Sequence, residues 1–93
     1  MIDVRQAVQK ASEYLVTIFA DRQVRNVQVE EVERSEDSRH WFVTLGYADP
    51  AGGPLAEIAA TMGDSRNRKY KVFKIDADSG ECLSMKIREP LLR

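Results

Sequence analysis

The N-terminal part of the chain carries apolar residues at helical spacing. Between residues 3 and 20 they form one stripe: Val4, Ala7, Val8, Ala11, Leu15, Ile18 and Phe19. A stripe with this period is typical of a helix that lies on a core. Asp3 is suited to cap the first turn, and Gln6, three residues later, completes a capping-box pattern. The sequence therefore predicts an amphipathic helix over residues 3 to 20.

The segment after this helix changes to a period of two, which is typical of β-strands. The alternation that begins at Val27 is interrupted by Glu30 and Glu31, and we expect a β-bulge at one of them. Residues 35 to 38, Ser-Glu-Asp-Ser, form the predicted turn to a second strand. The side of that strand with the larger apolar side chains should face the helix, and it consists of Trp41, Val43, Leu45 and Tyr47.

Two further apolar-rich runs flank residues 78 to 81, Asp-Ser-Gly-Glu, and predict a β-hairpin with Gly80 in the left-handed conformation. The first run has two apolar phases, which indicates either a second bulge or a strand buried on both faces: Tyr70 and Val72, and Phe73, Ile75 and Ala77. In the second run one side is expected to carry Leu83, Met85 and Ile87, and the other Cys82, Ser84, Lys86 and Arg88. Pro90 should end this strand.

Residues 48 to 68 contain a glycine- and proline-rich loop at 49 to 54 and a second, polar loop at 63 to 68, and we expect a partly ordered flap there. Within it, residues 55 to 62 have apolar positions that allow one or two helical turns. The element order is α-β-β-β-β, with hairpin-type connections. The sequence thus predicts a single α+β domain over residues 1 to 93, with the N-terminal helix packed on a four-stranded antiparallel sheet.

The pattern Y-x-V-x-x-I-D-A-x-S-G-x-x-L over residues 70 to 83 resembles the PepSY-like domains, which are small cystatin-like modules. The matching residues are Tyr70, Val72, Ile75, Asp76, Ala77, Gly80 and Leu83. The likeness covers roughly residues 69 to 87 and, in element order, the whole chain. It implies a helix cradled by an antiparallel sheet and a protein-binding or inhibitory role, often beside proteases and outside the cytoplasm. The Gly-containing arm and the hairpin loop through which cystatins inhibit are missing from this sequence, so the resemblance implies no inhibitory residues here.

Charge and cysteine content narrow the class of protein. The formal net charge is -1, so the chain as a whole lacks the basic excess of a typical nucleic-acid-binding protein. The one cysteine, Cys82, excludes an intramolecular disulfide and a cysteine-cluster zinc site. The N-terminus has no basic and apolar leader pattern, and no apolar run approaches the length of a membrane span. We therefore expect a complete cytoplasmic protein with no membrane segment.

Catalytic and metal constellations are not predicted. His40 is the only histidine, and a surface or strand-edge position is favoured over a catalytic one. Cys82 would need a base beside it to act as a nucleophile, and a Cys82–His40 pair is the less favoured alternative. Asp76, Asp78 and Gly80 share the spacing D-x-D-x-G with calcium loops, but Ile87 stands where an EF-hand requires glutamate, so turn chemistry is favoured. The sequence predicts no enzyme activity and no cofactor.

The strongest local charge signal is a basic stripe, which consists of Arg66, Arg68, Lys69, Lys71 and Lys74, with Lys86 and Arg88 on the next strand. Interleaved aromatic residues make it a candidate for nucleic-acid or phosphate binding. Its acidic counterpart is Glu30, Glu31, Glu33, Glu36 and Asp37; if the strands approach each other, these charges pair across the sheet. One helix covers only one sheet face, so Phe42, with Phe73 or Val72, is expected to line an exposed face. The favoured hypothesis is a protein-interaction module, with a protein partner or a second copy.

Overall fold

The computed structural model describes residues 1–20, 24–48 and 68–88. They form one helix and four strands: α1 (Val4–Ile18), β1 (Arg25–Arg34), β2 (His40–Ala48), β3 (Arg68–Asp76) and β4 (Cys82–Ile87). The strands make one antiparallel sheet in the order β1-β2-β3-β4. The predicted α+β fold is therefore confirmed. The predicted flap, the helical turns at 55 to 62, Arg66 and Pro90 lie outside the described residues, except for the flap ends Ala48 and Arg68.

Helix α1 begins at the predicted capping box. The backbone N–H of Gln6 donates to the Asp3 carboxylate at 2.8 Å, and the backbone N–H of Asp3 donates to Gln6 Oε1 at 2.9 Å. The central positions of its apolar stripe are completely buried: Ala7, Ala11 and Leu15. Two of these are alanines, whose small side chains let the helix lie close to the sheet. Among the described residues, no helix has the length and apolarity that crossing a membrane requires.

Strand β2 supplies the centre of the core. Val43, Leu45 and Tyr47 are at most 1% exposed, and Trp41 packs against them. This confirms which side of β2 faces the helix. The pairing of β1 with β2 shifts between Val29 and Glu31, as the sequence predicted. A second shift, between Arg25 and Gln28, coincides with a positive φ at Asn26 and was not predicted.

Strand β3 places its two apolar phases on different faces. Phe73 and Ile75 are completely buried on the helix side, whereas Tyr70 and Val72 are half-buried on the other side. Its pairing with β2 is continuous from Arg68 to Asp76, so the bulge that the sequence indicated for this strand does not lie between β2 and β3.

A bulge is found instead between β3 and β4. Lys74 pairs with Ser84 and Ile75 with Cys82, which leaves Leu83 as an extra residue on β4. Cys82 and Met85 consequently both pack against the core, while Leu83 is 45% and Ile87 74% exposed. The prediction that Leu83, Met85 and Ile87 share a side without Cys82 is therefore wrong, because a bulge resets the alternation.

The β3–β4 turn is tied to the N-terminus. Gly80 has φ 78°, as predicted, and its backbone N–H donates to Asp76 O at 2.9 Å. The backbone N–H of Ile2 donates to Ala77 O at 2.7 Å, and Trp41 Nε1–H donates to Ile2 O at 3.3 Å. Residues 1 to 3 are thus held against both β2 and the hairpin.

Candidate interaction face

The face of the sheet that α1 does not cover is the candidate site. Directly paired residues on neighbouring strands share a face. Phe42, Thr44 and Gly46 point away from the helix, so their partners on the neighbouring strands lie on the face of the sheet that is turned away from the buried core. We call this surface the helix-free face, and it consists of Arg25, Gln28, Glu30, Glu31, Glu33, His40, Phe42, Thr44, Gly46, Ala48, Arg68, Tyr70, Val72, Lys74, Asp76, Ser84, Lys86 and Arg88.

Charge on the helix-free face is sorted by strand. The acidic residues are concentrated on β1: Glu30, Glu31 and Glu33. The basic residues are concentrated on β3, on β4 and directly after β4: Arg68, Lys74, Lys86 and Arg88. Arg25 and Asp76 are the exceptions to this order. The face therefore has an acidic edge and a basic edge with little net charge.

One ion pair crosses the whole sheet. Arg88 Nη1 lies 2.9 Å from Glu31 Oε1, and Arg88 Nη2 lies 3.2 Å from Glu31 Oε2. The same guanidinium donates to Thr44 Oγ1 at 3.3 Å, and Thr44 is only 4% exposed. This two-pronged geometry is the strongest form of an arginine–carboxylate contact. The Arg88 side chain therefore covers the middle of the helix-free face.

A second basic–acidic contact covers the end of the face near Gly46. Arg68 Nη2 lies 3.7 Å from Glu30 Oε1 and donates to Asn26 O at 2.9 Å. A Cβ at Gly46 would lie 2.9 Å from both Glu30 Oε1 and Tyr70 Cε1, so glycine leaves the space that these side chains occupy. The two contacts confirm that acidic and basic side chains pair across the sheet, at Glu31 with Arg88 and at Glu30 with Arg68.

The remaining part of the helix-free face carries charges without such partners. Glu33, Phe42, Lys74 and Ser84 form one row across the four strands, and Lys86 lies in the next row, opposite Val72. Phe42 is half-buried. Within the part of the chain that the structure describes, Glu33, Lys74 and Lys86 form no ion pair or side-chain hydrogen bond. We call these five residues the Phe42 patch: Glu33, Phe42, Lys74, Ser84 and Lys86.

The residues of the basic stripe do not share one surface. Lys69 and Lys71 pair with Tyr47 and Leu45, so they lie on the helix side of the sheet. The other described members lie on the helix-free face: Arg68, Lys74, Lys86 and Arg88. Of the aromatic and aliphatic residues expected there, Phe42 and Val72 are on the helix-free face. The alternative that placed Phe73 there is wrong, because Phe73 is completely buried under the helix.

The most exposed apolar side chains of the sheet lie on the helix side. Val29, opposite Leu45, is 47% exposed, and Ile87, opposite Lys71, is 74% exposed. A helix is about 10 Å wide, whereas the outer strands of a four-stranded sheet are about 14 Å apart, so one helix leaves both margins of that side uncovered. Sequence alternation alone missed this, because it assigned a whole face to the core.

His40 and Cys82 are not brought together. His40 pairs with Asp76 on the helix-free face, whereas Cys82 pairs with Ile75 and packs on the core side. The Cys82 Sγ–H donates to Ser84 O at 3.5 Å, and burial raises the pKa of the Cys82 thiol. A raised pKa disfavours the thiolate that nucleophilic chemistry requires. His40 and Cys82 therefore lie on opposite faces of the sheet and do not form a cysteine–histidine pair.

Asp76 acts as a turn residue. Its Oδ1 accepts hydrogen bonds from the backbone N–H groups of Asp78, at 2.8 Å, and Ser79, at 2.9 Å. These donors, Ser79 first, lower the pKa of the Asp76 carboxyl, because they stabilise its charged form. The same chemistry at Asp37, led by the Ser35 hydroxyl, lowers the pKa of that carboxyl. No group of His, Cys, Asp and Glu able to hold a metal ion occurs among the described residues.

The lowered pKa of Asp76 predicts a pH effect on stability. The carboxyl has an ordinary pKa of 3.8 in the unfolded chain, so below that pH the unfolded state binds more protons than the folded state. The stabilisation that the Asp76 carboxylate contributes is present above pH 3.8, and it is lost as the pH falls through the lower pKa that this group has in the folded state. We expect Asp76→Asn, whose carbonyl accepts the same hydrogen bonds, to lose less stability between pH 6 and pH 3 than the wild type does. Urea unfolding at the two pH values measures this.

Asp78→Asn is the matched control, because the Asp78 side chain accepts no hydrogen bond among the described residues. An equal loss of stability in the wild type and Asp76→Asn would contradict this role for Asp76.

Comparisons with known protein families, with curated proteins and with solved structures gave no match to this chain.

Proposed function

We propose that this chain is a non-enzymatic protein-binding module that contacts its partner through the Phe42 patch. The observation that carries the proposal is the composition of the patch: a half-buried aromatic ring between an acidic and a basic side chain that lack partners of their own. Aromatic residues are enriched where proteins bind each other, and charges beside them select the partner. A regulatory or inhibitory role, as the resemblance to PepSY-like domains implies, belongs to the same proposal.

Nucleic-acid or phosphate binding through Arg66 to Lys74 is the alternative, and the charge arrangement supports it less well. Lys69 and Lys71 lie on the opposite face from Lys74, and Arg68 is already engaged with Glu30 and Asn26. A polyanion is attracted by a continuous basic surface, whereas the helix-free face has an acidic edge as well. A protein surface, which also mixes both signs, fits this face better.

We place the protein in the cytoplasm as part of the proposal. Its one cysteine, Cys82, is a half-buried free thiol, which suits a reducing compartment.

The function is tested by affinity capture from native lysate with three baits of matched expression: the wild type, Lys74→Glu and Arg5→Glu. Arg5 is an exposed residue of α1, so Arg5→Glu makes the same charge change away from the patch. We expect a partner protein that survives nuclease treatment, is retained by Arg5→Glu and is depleted about tenfold by Lys74→Glu, since reversing a charge in an interface replaces attraction by repulsion.

Recovery of the same proteins with all three baits would show that the Phe42 patch is not the binding surface. Loss of every recovered protein on nuclease treatment, with capture falling steeply as salt is raised, would favour nucleic-acid binding. Circular dichroism spectra of the three baits should coincide, which separates a lost contact from a lost fold.

A further inference from the structure

We infer that the occupant of the Phe42 patch is a second copy of this chain, bound sheet to sheet about a two-fold axis parallel to the strands. This inference rests on the proposed function, because it uses the same surface and names the partner. The argument comes from the order of charges across the helix-free face, which makes that face complementary to itself in one orientation.

The acidic edge on β1 and the basic edge on β4 determine the orientation. A two-fold axis parallel to the strands places β1 of one copy over β4 of the other, so that Glu33 approaches the basic edge. A two-fold axis perpendicular to the strands, in the plane of the interface, places β1 over β1 and brings acidic residues together. Like charges facing each other disfavour an association, so only the first arrangement is complementary.

Rotation about an axis parallel to the strands keeps each residue in its own row of the sheet. Phe42 on β2 then faces β3 of the second copy in the row of Lys74, since Phe42 and Lys74 are direct partners within one sheet. An ammonium group over an aromatic ring is a favourable contact. Glu33 faces the row of Ser84, and Lys86 lies two residues further along β4, about 7 Å away, which is within reach of a lysine side chain. Each contact occurs twice in the dimer.

The size of the face predicts a weak dimer. Four strands about 4.8 Å apart and six residues long present roughly 400 Å² per copy, which is about half of a standard protein interface. Exposed ion pairs contribute much of the attraction, and salt screens them. We therefore expect reversible dimerisation in the range of about 10 to 1,000 µM that weakens as salt is raised. A complex this weak is lost during the washes of an affinity capture, so the second copy is tested on the purified chain, and capture tests only whether the patch also holds a tighter protein partner.

A charge-swap experiment on the purified chain tests the inference. Sedimentation equilibrium is measured from about 10 µM to 1 mM at low and high salt for the wild type, Glu33→Lys and Lys86→Glu. Each variant alone places like charges across the interface, and we expect its dissociation constant to rise about tenfold. An equimolar mixture of the two variants restores both ion pairs, one in each half of the dimer, and should associate as the wild type does.

The matched controls are Arg5→Glu and Glu13→Lys, which make the same two charge changes on exposed positions of α1. We expect each of them to dimerise like the wild type, alone and mixed. If they lost dimerisation as well, the effect would be one of net charge and the inference would be wrong.

Three other outcomes overturn the inference. A wild type that is monomeric at 1 mM excludes the second copy, while depletion of a partner by the Lys74→Glu bait still supports the proposed function. A dimer that Glu33→Lys and Lys86→Glu do not weaken uses another surface. A dimer that both variants weaken and that mixing does not restore has a different axis.

Discussion

Replacing Phe73 by alanine should remove a large part of the stability of the fold. Phe73 is completely buried, pairs with Val43 and Met85, and meets the ring of Tyr14 edge-on at a centroid distance of 6.1 Å. It therefore joins α1 to the middle of the sheet. Truncation of a buried phenylalanine costs about 3 to 5 kcal/mol, because the apolar area returns to water and a cavity remains. A domain of this size has a total stability of about 5 to 14 kcal/mol.

Urea unfolding followed by far-ultraviolet circular dichroism measures the effect. With an m-value of about 1 to 1.5 kcal/mol/M, the midpoint for Phe73→Ala should fall by about 2 to 5 M. Val72→Ala is the control, since Val72 is the neighbouring residue, half-buried on the helix-free face. We expect it to cost roughly 1 kcal/mol, less than half the effect at Phe73. Equal losses at the two positions would contradict the assignment of faces in β3.

Leu15→Ala is expected to have the second largest effect. Leu15 is completely buried where α1 lies on the sheet, and Phe19 N–H donates to its carbonyl at the end of the helix. Alanine has the higher helix propensity, so the helix itself gains from the change and the loss is one of packing alone. A buried leucine replaced by alanine costs about 2 to 5 kcal/mol. For a chain of this length, the melting temperature should fall by at least about 10 °C.

Val16→Ala provides the comparison for Leu15. Val16 is the next residue on α1 and is 58% exposed, so its side chain takes little part in the core. We expect its melting temperature to be unchanged or slightly raised, because alanine favours the helix. A fall comparable to that of Leu15→Ala would show that the helix packs through a different stripe.

Local signals in the sequence predicted most of the elements. The capping box at Asp3, the interruption at Glu30 and Glu31, and the glycine turn at Gly80 each depend on residues close together in the chain. The side chains on β4 were assigned wrongly because Cys82 and Leu83 are both apolar. A bulge at either position satisfies the pattern, and only pairing with β3 selects Leu83.

The candidate site was predicted less completely than the fold. Alternation along β3 implies that Lys69 and Lys71 lie on the other face of the sheet from Lys74, so the basic stripe does not form one surface. The Arg88–Glu31 contact joins residues 57 positions apart, and its existence depends on the order of four strands. That order is set by packing of the whole sheet rather than by local preference, so the sequence indicated which charges could pair but not which ones do.

The anchoring of residues 1 to 3 gives the protein a built-in optical reporter. Trp41, the only tryptophan, donates from its indole nitrogen to Ile2 O, and the Arg34 guanidinium lies 5.1 Å from its ring centre. Its indole ring therefore lies where the N-terminal residues, strand β1 and the core meet, and its emission is expected to change when the Ile2 contact is lost. Fluorescence accordingly follows this one corner of the molecule, whereas circular dichroism follows the backbone of the helix and the four strands together.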